Sequence, residues 1–307
     1  MRAIRDERGE GSLEAAFAAS EPAPAKINLA LHITGRRDDG YHSIDSLVVF
    51  AALGDELRLE TADAFSLTLS GPFAAALASS GRAEDNLVLR AAREMTMLHP
   101  SIRLGARLLL DKCLPVASGI GGGSADAAAT LRLIDHCWRL NSSAEELARL
   151  GRNLGADVPM CLLSKPLGAS GIGDIFRPLS GMPSLPLLLV NPGVALSTKA
   201  VFSRLSAPFD PGLPMLPARF SSPIDLVAWL GKTGNGLQAA AREEAPIIDD
   251  VLAALAGQAD CMLARMSGSG ATCFGIFPTL AAAEGAASRL KVARPDWWVS
   301  ATLTGAS

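Results

Sequence analysis

Leu114-Pro115-Val116-Ala117-Ser118-Gly119-Ile120-Gly121-Gly122-Gly123-Ser124-Ala125-Asp126-Ala127-Ala128-Ala129 is the stretch on which the reading of this chain turns. Four of the five positions from 119 to 123 are glycine, and small helix formers follow at once. Glycine lets a backbone approach a ligand closely. A helix starting at Ser124 leaves its first N–H groups without intrahelical partners and turns a partial positive charge into the loop. The segment therefore reads as a phosphate cradle; tight helix–sheet packing is the plainer use of such a run. A dinucleotide-binding turn would need G-x-G-x-x-G, and the last position here is Ser124. Gly231-Lys232-Thr233 resembles the end of a Walker loop, but the first glycine that loop requires is Leu226, so it reads as a coincidence. No lysine lies within 119–124, so the charge that neutralises a phosphate must arrive from elsewhere.

Upstream, Ile27, Leu29, Leu31 and Ile33 alternate with Lys26, Asn28, Ala30 and His32, which predicts a strand with one buried face. Ordered structure is expected from about Pro24. Gly35 to Gly40 reads as a polar turn. Strands follow through Leu47–Phe50, Glu56–Glu60 and Phe65–Ser70, then a helix capped by Asp85 or Asn86 to about Leu98, and a strand over Ile102–Leu110. Beyond the cradle, helical spacing runs from Ser124 to Leu140. Ser143 and Glu146 form a capping box for a helix ending near Gly155. A Gly/Ser/Pro-rich stretch at 164–186 marks a domain boundary, and Leu187–Asn191 is a short buried strand. Pro208–Pro223 reads as a surface excursion. Helix 246–255, strands 262–266 and 271–277, helix 280–290 and strand 297–303 complete an α+β pattern with a mixed or antiparallel sheet.

The 307 residues allow two domains, and 49% hydrophobic content supports a sizeable core. A net charge of -3 argues against a mainly electrostatic partner such as nucleic acid or a membrane surface. The five cysteines (Cys113, Cys137, Cys161, Cys261, Cys273) are widely spaced, as buried free thiols of a reducing compartment are. The first twenty residues lack the apolar run of a signal peptide and read as a flexible leader. A soluble, cytoplasmic protein is expected.

Three segments, in order, resemble the motifs of the GHMP kinases: Pro24-Ala25-Lys26-Ile27-Asn28-Leu29, Pro115 through Ala125, and Ser267-Gly268-Ser269-Gly270-Ala271-Thr272-Cys273-Phe274. Further segments look like the branch of that family acting on 4-diphosphocytidyl-2-C-methyl-D-erythritol. They are Gly35-Arg36-Arg37-Asp38-Asp39-Gly40-Tyr41-His42, Gly121-Gly122-Gly123, Leu154 to Pro159, and Pro192-Gly193-Val194 with Thr198 and Phe202. The resemblance implies a two-domain fold. Its N-terminal domain is similar to ribosomal protein S5 domain 2, and its C-terminal domain is a ferredoxin-like α/β sandwich. With the boundary read from composition, the chain divides into a leader at 1–21, an ATP-binding domain at 22–180 and a second domain at 181–307; the leader is longer than the resemblance accounts for. The resemblance also implies ATP-dependent phosphorylation of the acceptor's 2-hydroxyl, in the non-mevalonate route to isoprenoids; a monomer or weak homodimer is expected.

Site roles follow from the same likeness. Asp157 is the candidate general base, a turn aspartate being its ordinary reading. Lys26 is the candidate for stabilising the attacking oxygen, the transferring phosphoryl group, or both, and for holding Asp157 ionised; a solvated edge-strand lysine is the alternative. Pro115, Gly119, Ile120, Gly121, Gly122, Gly123 and Ser124 would hold ATP, with the Ser124 hydroxyl on a phosphate or Mg²⁺. Tyr41 and Phe202 resemble the aromatics that sandwich cytosine, and His42 the residue on its edge. Asn28, Thr198, Gly268 and Ser269 complete the substrate set. Mg²⁺ is expected with the nucleotide, its protein ligands unassigned; Asp126 is read as a helix-dipole partner. Asn235-Gly236-Leu237-Gln238 departs from the Asn-Asp-Leu-Glu-like segment expected there.

Overall fold

The computed structural model describes residues 19–217 and 219–305. The leader expected over 1–21 lies outside them except for its last three residues. Those belong to the first strand, so ordered structure is already present at Ala19, ahead of the expected Pro24.

The first half of the chain comprises β1 (Ala19–Arg36), β2 (His42–Thr61), β3 (Ser66–Ser70), α1 (Ala74–Ser79), α2 (Leu87–Leu98), β4 (Ala106–Asp111), α3 (Gly122–Trp138), α4 (Ala144–Leu154), α5 (Val158–Leu163), β5 (Leu167–Gly171) and β6 (Ile175–Pro178). Its sheet runs β3-β4-β2-β5-β6, with β1 also on β2. The two strands expected at 47–50 and 56–60 are one continuous strand, β2. It carries β5 against residues 44–48 and β4 against residues 56–61. The β5–β6 hairpin falls inside the stretch read as the domain boundary and belongs to the first sheet.

The second half comprises β7 (Pro186–Asn191), α6 (Thr198–Ser203), α7 (Pro223–Leu230), α8 (Gln238–Glu244), α9 (Ile247–Ala256), β8 (Leu263–Met266), β9 (Cys273–Ile276), α10 (Leu280–Ala293) and β10 (Trp298–Leu303). Its sheet is antiparallel, in the order β10-β7-β9-β8. The excursion at 208–223 is partly tied down: Asp210 accepts from Ile33 N at 2.9 Å, and Asp45 from Leu213 N at 2.8 Å.

The expected single buried face of β1 is overturned. Its register on β2 shifts between Pro24 and Lys26, between Asn28 and Ala30, and between Ile33 and Gly35. Each bulge displaces the alternation of side chains. Ile27 and Leu29 enter a core between the two sheets with Leu187, Phe274 and Ile276, whereas Leu31 and Ile33 enter the core of the second half with Val190 and Ile248. Lys26, Asn28 and His32 are buried as well. The bulge at Leu29 leaves its carbonyl free of the ladder, and the buried Arg265 donates to it at 2.7 Å. Thus one strand is packed on both faces and joins the two halves.

Two helix starts are set locally. Asn86 accepts from Val88 N at 2.9 Å and caps α2. Ser143 and Glu146 cap α4 reciprocally, as their spacing predicts. Of the cysteines, Cys161 and Cys273 are buried; Cys113, Cys137 and Cys261 are only half-buried, and all five are free. No helix among the described residues is long and apolar enough to cross a membrane.

Candidate active site

The cradle opens with a set of hydrogen bonds that hold its two ends together. Asp55, in the middle of β2, accepts from Cys113 N at 2.6 Å and Leu114 N at 2.8 Å with one oxygen. Its other oxygen takes the Lys112 ammonium at 2.5 Å. That ammonium also donates to Asp126 on α3 at 2.7 Å. Two carboxylates therefore surround one buried cation. Burial works against the Lys112 charge, but the pair of carboxylates holds its value above the ordinary one. Burial pushes Asp126 up to about 7 against the pull of Lys112, and the neighbouring Asp55 adds to the rise. The two rises have different leading causes: Asp126 rises chiefly because it is buried, Lys112 because two carboxylates face it. Asp126 lies in the second turn of α3, enclosed, so the dipole reading of it is replaced by an ion pair.

Helix α3 starts at Gly122, two residues before the expected Ser124, with Gly121 as its N-cap. The N–H groups of Gly122, Gly123 and Ser124 have no intrahelical partner, and all three residues line a cleft of about 1190 Å³ between the halves. Two positions require glycine. Gly119 has φ +77°, and a Cβ there would lie 2.6 Å from the Gly270 backbone; Gly121 has φ +67° and faces the Lys26 side chain at 3.2 Å. The cradle thus sits directly on the third glycine-rich motif. Thr272 N donates to Ser118 O at 3.1 Å, and Lys26 N to Ile120 O at 2.9 Å. Lys112 was not singled out in the sequence, yet its Nζ lies only 3.1 Å from where a Gly122 Cβ would be. The cradle therefore has a lysine close beneath it after all; the signal was Asp111-Lys112 ahead of Pro115, which reads in isolation as a polar strand end.

Across the cleft, Lys26 Nζ donates to Asp157 Oδ2 at 2.7 Å. The lysine side chain is 7% exposed and the aspartate 38%. Residue 26 follows a bulge in β1, and Asp157 holds the N-cap position of α5 without a side-chain cap bond, with Pro159 in that helix's first turn. The solvated reading of Lys26 is excluded, and the carboxylate it holds remains open to the cleft. Asn28 donates from Nδ2 to Ser46 Oγ at 2.8 Å, while its buried Oδ1 has no partner.

The far end of the cleft is aromatic. His42 lies 5.4 Å from Phe202, centroid to centroid, and 6.0 Å edge-on from Phe209, which sequence reasoning missed. His42 Nε2 is buried without a partner. Burial, and then the Arg36 charge, hold its value below that of an ordinary histidine. Tyr41 stands exposed on the rim. Thr198 and Ser269 join through their hydroxyls at 2.9 Å. All the expected site residues line this one cleft except Ile120, whose side chain lies in the core between the sheets.

The departure at 235–238 has a structural use. Asn235 Nδ2 donates to Met266 O at 2.8 Å and Gly268 O at 2.9 Å, and Gln238 Oε1 accepts from Met266 N. These amides hold the third motif in place. Gly231-Lys232-Thr233 closes α7 away from the cleft, as a loop coincidence should. No three metal-ligating side chains converge among the described residues.

Comparison with known proteins agrees with this geometry. Residues 86–165 match the GHMP kinases N terminal domain, and residues 219–293 match GHMP kinases C terminal. The 4-diphosphocytidyl-2-C-methyl-D-erythritol kinase of Dinoroseobacter shibae is 49% identical, covering 92% of this chain and 93% of its own. The enzyme of the same name from a Chelativorans species is 50% identical, covering 93% and 96%. A solved 4-(cytidine 5'-diphospho)-2C-methyl-D-erythritol kinase superposes with a TM-score of 0.76 at 30% identity, covering 94% of this chain and all of that one. The chain belongs to the GHMP kinase family.

Proposed function

We propose that this protein transfers the γ-phosphate of ATP to the 2-hydroxyl of 4-diphosphocytidyl-2-C-methyl-D-erythritol. Use of ATP follows from membership of a kinase family. The observation that carries the reading is the Lys26–Asp157 pair facing a cleft that has the glycine cradle on one side and His42 with Phe202 on the other. The cleft is larger than a pocket for one small ligand usually is, as two substrates require.

Phosphoryl transfer is mostly positioning and charge stabilisation. The unpaired N–H groups at the start of α3 would hold the ATP phosphates. Asp157, accessible on one side, would accept the acceptor's hydroxyl proton as the oxygen attacks. Lys26 would keep that carboxylate oriented and meet the charge that builds on the phosphoryl oxygens. The unpartnered Asn28 Oδ1 is free to accept a hydrogen bond from an acceptor hydroxyl. The neutral His42 ring, backed by two aromatics, suits the edge of a cytosine, with Tyr41 closing over it from the rim. Thr198, Gly268 and Ser269 line the floor between these ends. Mg²⁺ is usually carried by substrate phosphates with few protein ligands. The Ser124 hydroxyl on the first turn of α3 is the donor placed for it, and the ion would neutralise phosphate charge. Residues 22–180 form the ATP-binding unit on this reading and 181–307 its partner, the sheets parting between Pro178 and Pro186.

The test is ADP release with the cytidine acceptor beside homoserine, galactose and mevalonate. Turnover confined to the cytidine acceptor is expected. Equal turnover of a simple alcohol would assign the cleft to another branch of the family, and ATP binding without any acceptor-dependent turnover would mark a regulatory protein.

A further inference from the structure

Phosphoryl transfer brings two polyanions into this cleft: ATP and, if the proposed acceptor is right, a diphosphate that links cytidine to the reacting alcohol. Four lysine and arginine side chains line the cleft: Lys26, Arg36, Lys112 and Lys199. Lys26 is held by Asp157, and Lys112 by Asp55 and Asp126. Arg36 and Lys199 have no carboxylate partner among the described residues.

Their positions are informative. Arg36 ends β1 and pairs in register with His42 on β2, and it is close enough for its charge to act on that ring. Lys199 lies in α6 between two contacts. Thr198 reaches Ser269 of the third motif at 2.9 Å, and Phe202 meets His42 at 5.4 Å. Lys199 and Phe202 are three apart and so neighbour each other on the helix surface. One cation therefore flanks the aromatic end from the strand side, the other from the helix side. Between that end and Lys26–Asp157 the acceptor must lay its diphosphate.

We propose that Arg36 and Lys199 form the subsite for the acceptor's diphosphate. The guanidinium offers a planar fork to paired phosphate oxygens and the ammonium a point charge opposite it. This subsite rests on the acceptor assigned above, and it sets specificity: a cytidine without phosphate gains nothing from it.

The experiment compares native protein with Arg36→Ala, Lys199→Ala and the double variant. It reads the KM for the acceptor, the KM for ATP, and inhibition by cytidine diphosphate and by cytidine. A charge-assisted contact at a solvent-open position should raise the acceptor KM about tenfold for each variant. Inhibition by cytidine diphosphate should weaken in the same ratio, with inhibition by cytidine and the KM for ATP unchanged. Arg36→Lys and Lys199→Arg should restore most of the loss. An unchanged acceptor KM in the double variant would overturn the subsite. So would equal weakening of cytidine and cytidine diphosphate, which would mean that the aromatic end had been deformed. If native protein does not turn over the acceptor, the functional reading falls on its own, and the cytidine diphosphate-to-cytidine comparison still decides the subsite.

Discussion

Lys26 and Lys112 each donate to an aspartate at 2.7 Å, yet one pair opens on the cleft and the other is buried in its wall beneath the cradle. Asp157 is 38% exposed, while the Lys112, Asp55 and Asp126 side chains are 2%, 0% and 4% exposed. The chemistry is the same and the placement differs. A carboxylate with one open side can exchange a proton with a bound hydroxyl. A carboxylate enclosed by an ammonium and by the backbone cannot, and its energy goes into fixing where the backbone runs. In the second cluster Asp55 holds the entrance of the cradle, and Lys112 pins that entrance to α3. The lesson is that a lysine–aspartate pair identifies a reagent only when one partner faces the substrate space.

Breaking each pair should therefore move a different observable. Asp157→Asn is expected to lower kcat by about 10²–10⁴-fold, the scale for loss of a general base, with the thermal midpoint and ATP affinity near native. Lys112→Met removes one partner of a buried ion cluster and should destabilise the fold by about 3–5 kcal/mol, read by urea unfolding. If Lys112→Met left stability intact and only slowed turnover, the assigned roles of the two lysines would be reversed. Gly119→Ala forces a Cβ against the Gly270 backbone at positive φ. It should cost about 1–3 kcal/mol and raise the KM for ATP, since the cradle and third motif must part. An unchanged KM for ATP would reduce that contact to packing.

Ser143→Ala, remote from both clusters, should cost only about 1 kcal/mol and leave both KM values alone. The smallest effect concerns protonation. His42 is depressed below 6.5 by burial and by Arg36, so the folded protein binds fewer protons there than an unfolded chain does. Its ring should stay neutral as pH falls through 6.5, and acceptor binding should weaken only below that point. An NMR titration of the ring with a midpoint at or above 6.5 would contradict this.

What was legible in the sequence was local or motif-borne. The Ser143–Glu146 box, the cap at Asp85 or Asn86 and the cradle preceding a helix are read from neighbours within a few residues; the structure keeps all three and chooses Asn86 as the cap. The pairing of Lys26 with Asp157, 131 residues apart, came only through resemblance, because no local pattern links a strand lysine to a turn aspartate. The bulges of β1 were illegible: perfect alternation from Lys26 to Ile33 reads as one wet face, and nothing in it shows a second layer packing on the other side. The Lys112 cluster was missed for the same reason. Asp55, Lys112 and Asp126 lie in three different elements, and each alone looks like a solvated charge or a dipole partner. Phe209 escaped because a proline-rich segment carries no periodicity to say which of its side chains turn inward.

The most direct test of the Lys26–Asp157 assignment is the chemical step itself. Rapid-quench single turnover of Asp157→Asn, with ATP and the cytidine acceptor both saturating, should show ATP bound as tightly as in native protein and phosphoryl transfer slowed by about 10²–10⁴-fold. Transfer at the native rate from the same bound ATP would remove Asp157 as the base and leave the pair a structural contact like the one beneath the cradle.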